Sequence, residues 1–280
     1  MLKADYSRAV ALCKASIDGG FDLTASHTSA EKLPFDAVNS LRRQMLSRHI
    51  RKVDPRCKQR TQEFIAQYRK GSRIVDIARQ PGLRYSPYLL ARIFVGVLEP
   101  ADTSKKVGHL MHTPSLISDE RLRREVEESI SEDRDNSPHM DRVRRGLGAE
   151  YEFILQQKLR ARHVYMGVAF ESESDLREKG AYKTPDMLLQ VPMAVKGPTN
   201  EWTMVSWIDS KAMFGDELTY VQEHQSQLLS YVNRYGPGLV IYWFGFVETL
   251  VSPKFDGYKK DIMVKADFPS PIMLPDAQIL

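Results

Sequence analysis

Thr184-Pro185-Asp186-Met187-Leu188-Leu189 opens one apolar run, and Val205-Ser206-Trp207-Ile208-Asp209-Ser210-Lys211 closes the next. A lone Asp is thus followed, about two dozen residues later, by Asp-x-Lys at the end of an apolar stretch. Asp186 to Val195 and Thr203 to Ile208 read as two strands joined by a turn around Gly197-Pro198. Asp186 and Asp209 are equidistant from the middle of that Gly-Pro pair, so a symmetric hairpin sets them opposite each other. Facing residues on antiparallel strands have alpha carbons about 4.5 to 5.5 Å apart, close enough for two carboxylates to share one cation. Lys211, two positions beyond Asp209, projects from the same face.

Charge explains why these residue types suit phosphodiester hydrolysis. The anionic phosphate repels hydroxide, so a site of this kind holds Mg²⁺ or Mn²⁺, hard cations that take carboxylate oxygens and keep several waters. The metal acidifies a water and steadies developing charge. Lys211 can orient that water or neutralise the phosphate. The competing reading makes Asp186 a cap at a strand entry and Asp209 with Lys211 a solvated edge pair. A D-x-K tripeptide alone does not separate the two, whereas its strand-end placement and the opposed Asp favour the metal.

At 280 residues and 42% hydrophobic, the chain can bury a sizeable core and suggests two domains. Cys13 and Cys57 are its only cysteines, so neither a disulfide framework nor a cysteine-based zinc site is implied, and a reducing compartment fits. The longest apolar stretch, Gly238 to Val247, is too short to span a bilayer, and no membrane partner is expected. Residues 1–100 hold 18 Lys and Arg against 9 Asp and Glu, a balance of +9, while the remainder holds 22 against 27. The basic first part is the candidate polyanion binder.

That first part reads as helices over Asp5–Asp18, Pro34–Arg51, Gln59–Arg69, Ser72–Arg79 and Ser86–Leu98. Ile74 to Ala78, a break at Pro81-Gly82 and the run from Ser86 have helix-turn-helix character, with Ser86 as N-cap and Pro87 at the first helical position. If the second helix enters a groove, Arg84, Ser86, Tyr88 and Arg92 lie on or near its exposed side and contact nucleic acid. From Pro100 to Asn136 the chain turns polar and acidic, as a linker or a mobile helix. A long helix is expected from Ser137 to near Arg162, then strands at His163–Phe170, from Asp186 and up to Asp209. A helix from about Glu217 to Arg234 and strands at Leu239–Phe246 and Asp261–Ala266 follow. Asp216 and Glu217 are read as caps of that helix rather than ligands of a second metal. Tyr242-Trp243-Phe244 is read as core strand rather than a base-stacking surface.

This element order resembles the PD-(D/E)XK nuclease core over roughly residues 138–268. More narrowly, Lys183 to Asp186, Trp207 to Glu217 and Tyr231 to Gly245 are similar to the codanin-interacting nucleases, the TPD-motif family. The resemblance implies an α/β, restriction-endonuclease-like C-terminal domain with an all-α, helix-turn-helix-type N-terminal region. The expected domains are a nucleic-acid-binding region over 1–100, the acidic linker over 101–136 and the nuclease over 137–280. It further implies cleavage dependent on Mg²⁺ or Mn²⁺, DNA favoured over RNA, a codanin-like partner, and a place in the nucleus or cytoplasm. Related resolvases and restriction enzymes often pair, which admits a homodimer.

In that core a Glu of the first helix usually joins the metal site. Here Glu150 flanks the stripe of Val143, Leu147 and Ile154, while Glu152 flanks Gly148, Tyr151, Leu155 and Leu159. The two are about 200° apart, so only one can face inward, and the helical wheel does not choose. Similar nucleases place the Glu directly after an aromatic residue, which favours Glu152 beside Asp186 and Asp209 as metal ligands. Gln227 resembles the residue that orients water or substrate in related nucleases. Two other classes remain open: a nucleic-acid-binding scaffold that keeps the fold without turnover, and a helix-turn-helix regulator acting through residues 1–100.

Overall fold

The computed structural model describes residues 1–99, 107–166, 169–197 and 200–274, and of residues 162–166 the backbone course alone. The helices α1 (Lys3–Gly19), α2 (Ala25–Ala30), α3 (Phe35–Gln59), α4 (Thr61–Arg69), α5 (Ile74–Ala78), α6 (Pro87–Leu98), α7 (Val107–His112) and α8 (Glu120–Glu132) come first. Then follow α9 (Pro138–Met166), β1 (Phe170–Ser172), α10 (Glu173–Glu178), β2 (Met187–Lys196) and β3 (Trp202–Lys211). The chain closes with α11 (Glu217–Thr219), a π turn at Tyr220–His224, α12 (Gln225–Tyr235), β4 (Gly238–Tyr242), β5 (Ile262–Lys265) and β6 (Ile272–Met273).

These elements form two compact units that do not follow the expected breaks at 100 and 136. One gathers residues 1–11, 24–41 and 146–280; the other gathers 12–23 and 42–145. The N-terminal residues are therefore shared between the units. In the first unit the Phe214 amide donates to Ser40 Oγ at 2.9 Å, and Tyr6 stacks on Phe214.

The helical unit packs Phe64, Ile65, Ile74, Ile77, Leu90, Phe94, Leu122 and Val126 into one core. Helix α6 starts as expected, with Pro87 at its first position and Ser86 Oγ accepting the Leu89 amide at 3.1 Å. That same role removes Ser86 from an exposed face: it is only 3% exposed. The acidic stretch after 100 is also different from a linker. Residues 100–106 lie outside the described residues, but α8 buries Leu122, Val126 and Ser129 at helical spacing and packs on α5 and α6. Its carboxylates are structural. Glu125 Oε2 accepts the Ile74 amide at 2.7 Å, which caps α5 from 51 residues away. Asp133 accepts the Ser86 hydroxyl and the amides of Tyr88, Asp135 and Asn136.

The other unit is a mixed α/β layer. Its sheet runs β1-β2-β3-β4-β5, antiparallel across the first three strands and parallel from β3 to β5, with β6 pairing β2 further along. β4, Gly238-Leu-Val-Ile-Tyr242, is wholly buried, as expected for a central parallel strand covered on both faces. A side chain at Gly238 would meet the Trp207 ring at 2.0 Å, so only glycine fits there.

Three expectations need correction. The strand expected at 163–170 is helical as far as Met166; residues 167 and 168 lie outside the described residues, and Phe170 opens the three-residue β1. β4 ends at Tyr242, and Trp243 and Phe244 turn out of the sheet to pack against Tyr151 of α9, with ring centres at 5.1 and 5.6 Å. The hairpin, finally, is not symmetric. Lys196 faces Trp202 and Met193 faces Val205, which moves the turn beyond Gly197-Pro198; Pro198 itself lies outside the described residues. Leu189 to Pro192 on β2 then face Ser206 alone, and this bulge restores the expected register, with Leu188 facing Trp207 and Met187 facing Ile208. Pro192 cannot donate to a ladder, which suits it to a bulge.

Candidate active site

One step past the Met187–Ile208 pair, the chain brings Asp186 opposite Asp209 at the open end of the hairpin. The Ser210 amide donates to Asp186 Oδ2 at 2.6 Å, and the Asp186 carbonyl accepts the Glu173 amide at 2.9 Å, which fixes the approach of the Thr184-Pro185-Asp186 loop. Thr184 and Pro185 are buried beneath it. Asp209 is 1% exposed and belongs to the strand between β2 and the fully buried β4.

Charge is crowded here. Burial, and next the facing Asp209, push the pKa of Asp186 well above the usual carboxylate range. Burial, then Glu173 and Asp209, raise that of Glu152. Lys211 Nζ stands 2.6 Å from Asp209 Oδ2, a charge-assisted hydrogen bond in which the ammonium donates to the sealed oxygen. Burial would lower the pKa of Lys211, but the charges of Asp209, Asp186 and Glu152 outweigh it and leave a firm ammonium. Two like charges about 5 Å apart repel by roughly 3 kcal/mol at an effective dielectric of about 20. One ammonium thus faces Asp186, Asp209 and Glu152 together.

Helix α9 supplies Glu152. Leu155 and Leu159 are wholly buried while Val143 is 43% exposed, so the inward stripe is that of Tyr151, Leu155 and Leu159. Tyr151 against Trp243 sets the helix's rotation, and Glu152 feels the charges of Asp209 and Lys211. Glu150 is exposed. Gln227 stands on α12 at the rim, its amide donating to the Tyr231 hydroxyl at 2.6 Å. Burial raises the pKa of Tyr231, and Asp209, Asp186 and Glu173 raise it further, which ties this rim to the carboxylates.

Three groups in the site escaped sequence reasoning. Glu173, in an unremarkable polar run, reaches the carboxylates because its amide is pinned to Asp186. His224 and Tyr242 share a 2.7 Å hydrogen bond behind Lys211. Burial, and next the Lys211 ammonium, lower His224 to about 3, so it stays neutral. His224 closes the π turn, a feature frequent at functional sites and without a reliable sequence signature. Asp216, by contrast, caps as expected: its side chain accepts the Thr219 amide at 2.6 Å.

Arg84, Ser86, Tyr88 and Arg92 belong to the helical unit. There Arg92 is exposed, Tyr88 and Arg84 are partly covered and Ser86 is buried. Cys13 and Cys57 are buried thiols outside any disulfide, raised by burial to about 12 and about 11. No described helix is long and apolar enough to cross a membrane.

Among the described residues no three His, Cys, Asp or Glu side chains converge as a ready metal cage. The donor set still fits a hard cation: the half-buried Asp186 faces the buried Asp209, and a third carboxylate, Glu152, lies within their field. A cation would relieve the repulsion among the three.

Residues 118–268 match a family described as a protein of unknown function with a TPD sequence motif, and Thr184-Pro185-Asp186 stands within them. Proteins named CDAN1-interacting nuclease 1 align with the chain. The Xenopus laevis protein is 38% identical over 195 residues, 68% of this chain and 60% of its own length. The human protein is 36% identical over 205 residues, 71% of this chain and 68% of its own. This chain belongs to the codanin-interacting nuclease family. The alignment spans about three fifths of the frog relative's length, so the chain matches part of what that codanin-interacting nuclease contains. No solved structure matches the chain.

Proposed function

We propose that this protein is a divalent-metal-dependent nuclease of PD-(D/E)XK type, acting on nucleic acid with DNA favoured over RNA. The observation that carries this reading is the facing pair of half-buried Asp186 and buried Asp209, with Lys211, at the open end of one hairpin. Asp186, Asp209 and Glu152 would hold Mg²⁺ or Mn²⁺, which when bound acidifies a water and neutralises phosphate charge. Lys211, held as an ammonium, supplies fixed positive charge where the pentavalent phosphate gains negative charge. Asp209 holds that ammonium in place, and Tyr151 against Trp243 holds Glu152 at the rim of the pair. Gln227 orients water or substrate from α12. Arg84, Tyr88 and Arg92 contribute phosphate contacts, which predicts salt-dependent binding.

The relatives' name also supports a codanin-like protein as partner. A place in the nucleus or cytoplasm is part of the same proposal. One observation favours a second reading, a binding protein without turnover: the Lys211 ammonium stands against Asp209, where a metal would otherwise balance the charge.

A cleavage assay of wild type against Asp209→Ala separates the two, using labelled single-stranded, duplex and overhang DNA and RNA with Mg²⁺, Mn²⁺ or EDTA. Metal-dependent cutting by wild type that Asp209→Ala loses supports the nuclease. Binding without cutting in every lane establishes the scaffold.

A further inference from the structure

Beside the carboxylates a cleft of about 400 Å³ opens, lined by Arg177, Lys183, Thr184, Gln227 and Tyr231 with Glu173 and Glu223. Thr184 stands two residues before Asp186, so the cleft leads directly from the candidate site. At its mouth the sequence places an exposed aromatic residue next to a cation. Tyr182 is 71% exposed, and the Lys183 ammonium stands 5.7 Å from its ring centre. Lys183 adopts a left-handed backbone, φ 52°, which a lysine takes at some cost. The loop is nonetheless tied down on both sides. The Ala181 amide donates to the Leu176 carbonyl at 2.9 Å, and the Arg234 guanidinium donates to the Tyr182 carbonyl.

A large ring presented to water by a tethered backbone is unused by the fold: it fills no core and caps no element. Its charge setting narrows what it can receive. Arg177 is already paired with Glu173 at 2.6 Å, so it is Lys183 that favours an anion, while the flat face of Tyr182 favours another ring, and a nucleotide offers both. A base inside a duplex has no free face, so the platform requires an unstacked one.

Resting on the nuclease reading above, we propose that Tyr182 and Lys183 form a stacking platform for an unpaired nucleotide flanking the scissile phosphate. The base lies on Tyr182, and its phosphate is held by Lys183 at the mouth of the cleft. The preferred substrate is thus a strand with unpaired bases beside the cut, either a single strand or a duplex bearing an overhang.

The test is equilibrium binding of the full chain to labelled single strands, overhang duplexes and blunt duplexes of DNA and of RNA, in Ca²⁺ to suppress turnover. A 2-aminopurine base placed in the unpaired segment reports stacking by its quenching. Removing an aromatic platform weakens binding by roughly ten- to a hundredfold for a stacked base. Tyr182→Ala is expected to lose that affinity for single strands and overhangs, to lose the quenching, and to leave blunt duplex unchanged. Tyr182→Phe, which keeps the ring, is expected to match wild type in all three. Equal weakening on blunt duplex, or Tyr182→Ala binding overhangs as tightly as wild type, overturns the platform, as does a wild-type protein that binds no nucleic acid. Tyr182-dependent stacking in a protein that never cuts keeps the platform and overturns the nuclease reading instead.

Discussion

Both units bury carboxylates, and they treat them in opposite ways. In the helical unit Glu125 accepts the Ile74 amide and the Arg121 guanidinium, and Asp133 collects three amides and a hydroxyl. In the sheet unit Asp186 and Asp209 face each other, and together with Glu152 they share the one Lys211 ammonium, which stands 2.6 Å from Asp209. The same side-chain chemistry holds backbone amides in one place and is left as crowded like charges in the other. Buried charges are normally paired, so the place where carboxylates outnumber their partners is where a ligand or a reaction should be sought.

The sharpest way to break this contrast is to remove the cation that the sheet unit does hold. Lys211→Ala is expected to lower single-turnover cleavage by about a thousandfold or more, near 4 kcal/mol of transition-state stabilisation. Glu152→Gln should cost about ten- to a hundredfold, as groups that orient a metal site commonly do. A Lys211→Ala protein that cuts as fast as wild type would falsify the catalytic role.

Glu125→Ala inverts the test. It strips an acceptor from the buried start of α5 and is expected to cost about 2 to 3 kcal/mol in urea unfolding of the whole chain. Cleavage per folded molecule should stay at the wild-type rate. A fall in rate with no fall in stability would show that the two kinds of carboxylate are not as separate as their environments suggest.

Asp186→Asn sharpens the comparison from the stability side. A carboxylate whose folded pKa is raised above its ordinary 3.8 keeps its proton in the native state at pH values where the unfolded chain has lost it. Native stability therefore declines as pH rises from the unfolded value towards the raised native one, so near pH 7 the metal-free protein carries a penalty that is absent near pH 4. Asp186→Asn removes it, so the variant should melt higher than wild type near pH 7 without metal, by about 2 to 4 °C per kcal/mol relieved. The advantage should shrink towards pH 4. Mg²⁺ should raise the melting point of wild type more than that of the variant. A variant that melts lower than wild type in EDTA at pH 7 would mean that the pair is not in conflict.

The contrast also explains what could be read from sequence. The strand-end Asp residues and the Asp-x-Lys were legible because a two-residue period fixes which side chains share a face. The bulge at Leu189–Pro192 was not, because any odd or even number of extra residues can be hidden within an apolar run. The helical unit's acidic stretch looked like a linker because its partners lie far off in sequence: Glu125 caps a helix 51 residues earlier. Trp243 and Phe244 looked like core strand because composition alone cannot say where a strand stops and begins to cover a helix.

Glu150 and Glu152 are the smallest and most exacting case. Sequence left them as a pair, two residues apart on one helix with apolar neighbours on either side. The stacking of Tyr151 on Trp243 turns the helix so that Glu152 feels Asp209 and Lys211, while Glu150 stays in water. Solvent screens an exposed carboxylate, and its removal touches neither a partner nor a buried charge. Glu150→Gln is therefore expected to stay within about twofold of wild type in cleavage and within about 0.5 kcal/mol in stability. Cleavage and urea unfolding of that single variant decide the matter. A larger loss would mean that α9 turns when substrate binds, and that the rotation set by Tyr151 and Trp243 belongs to the free protein alone.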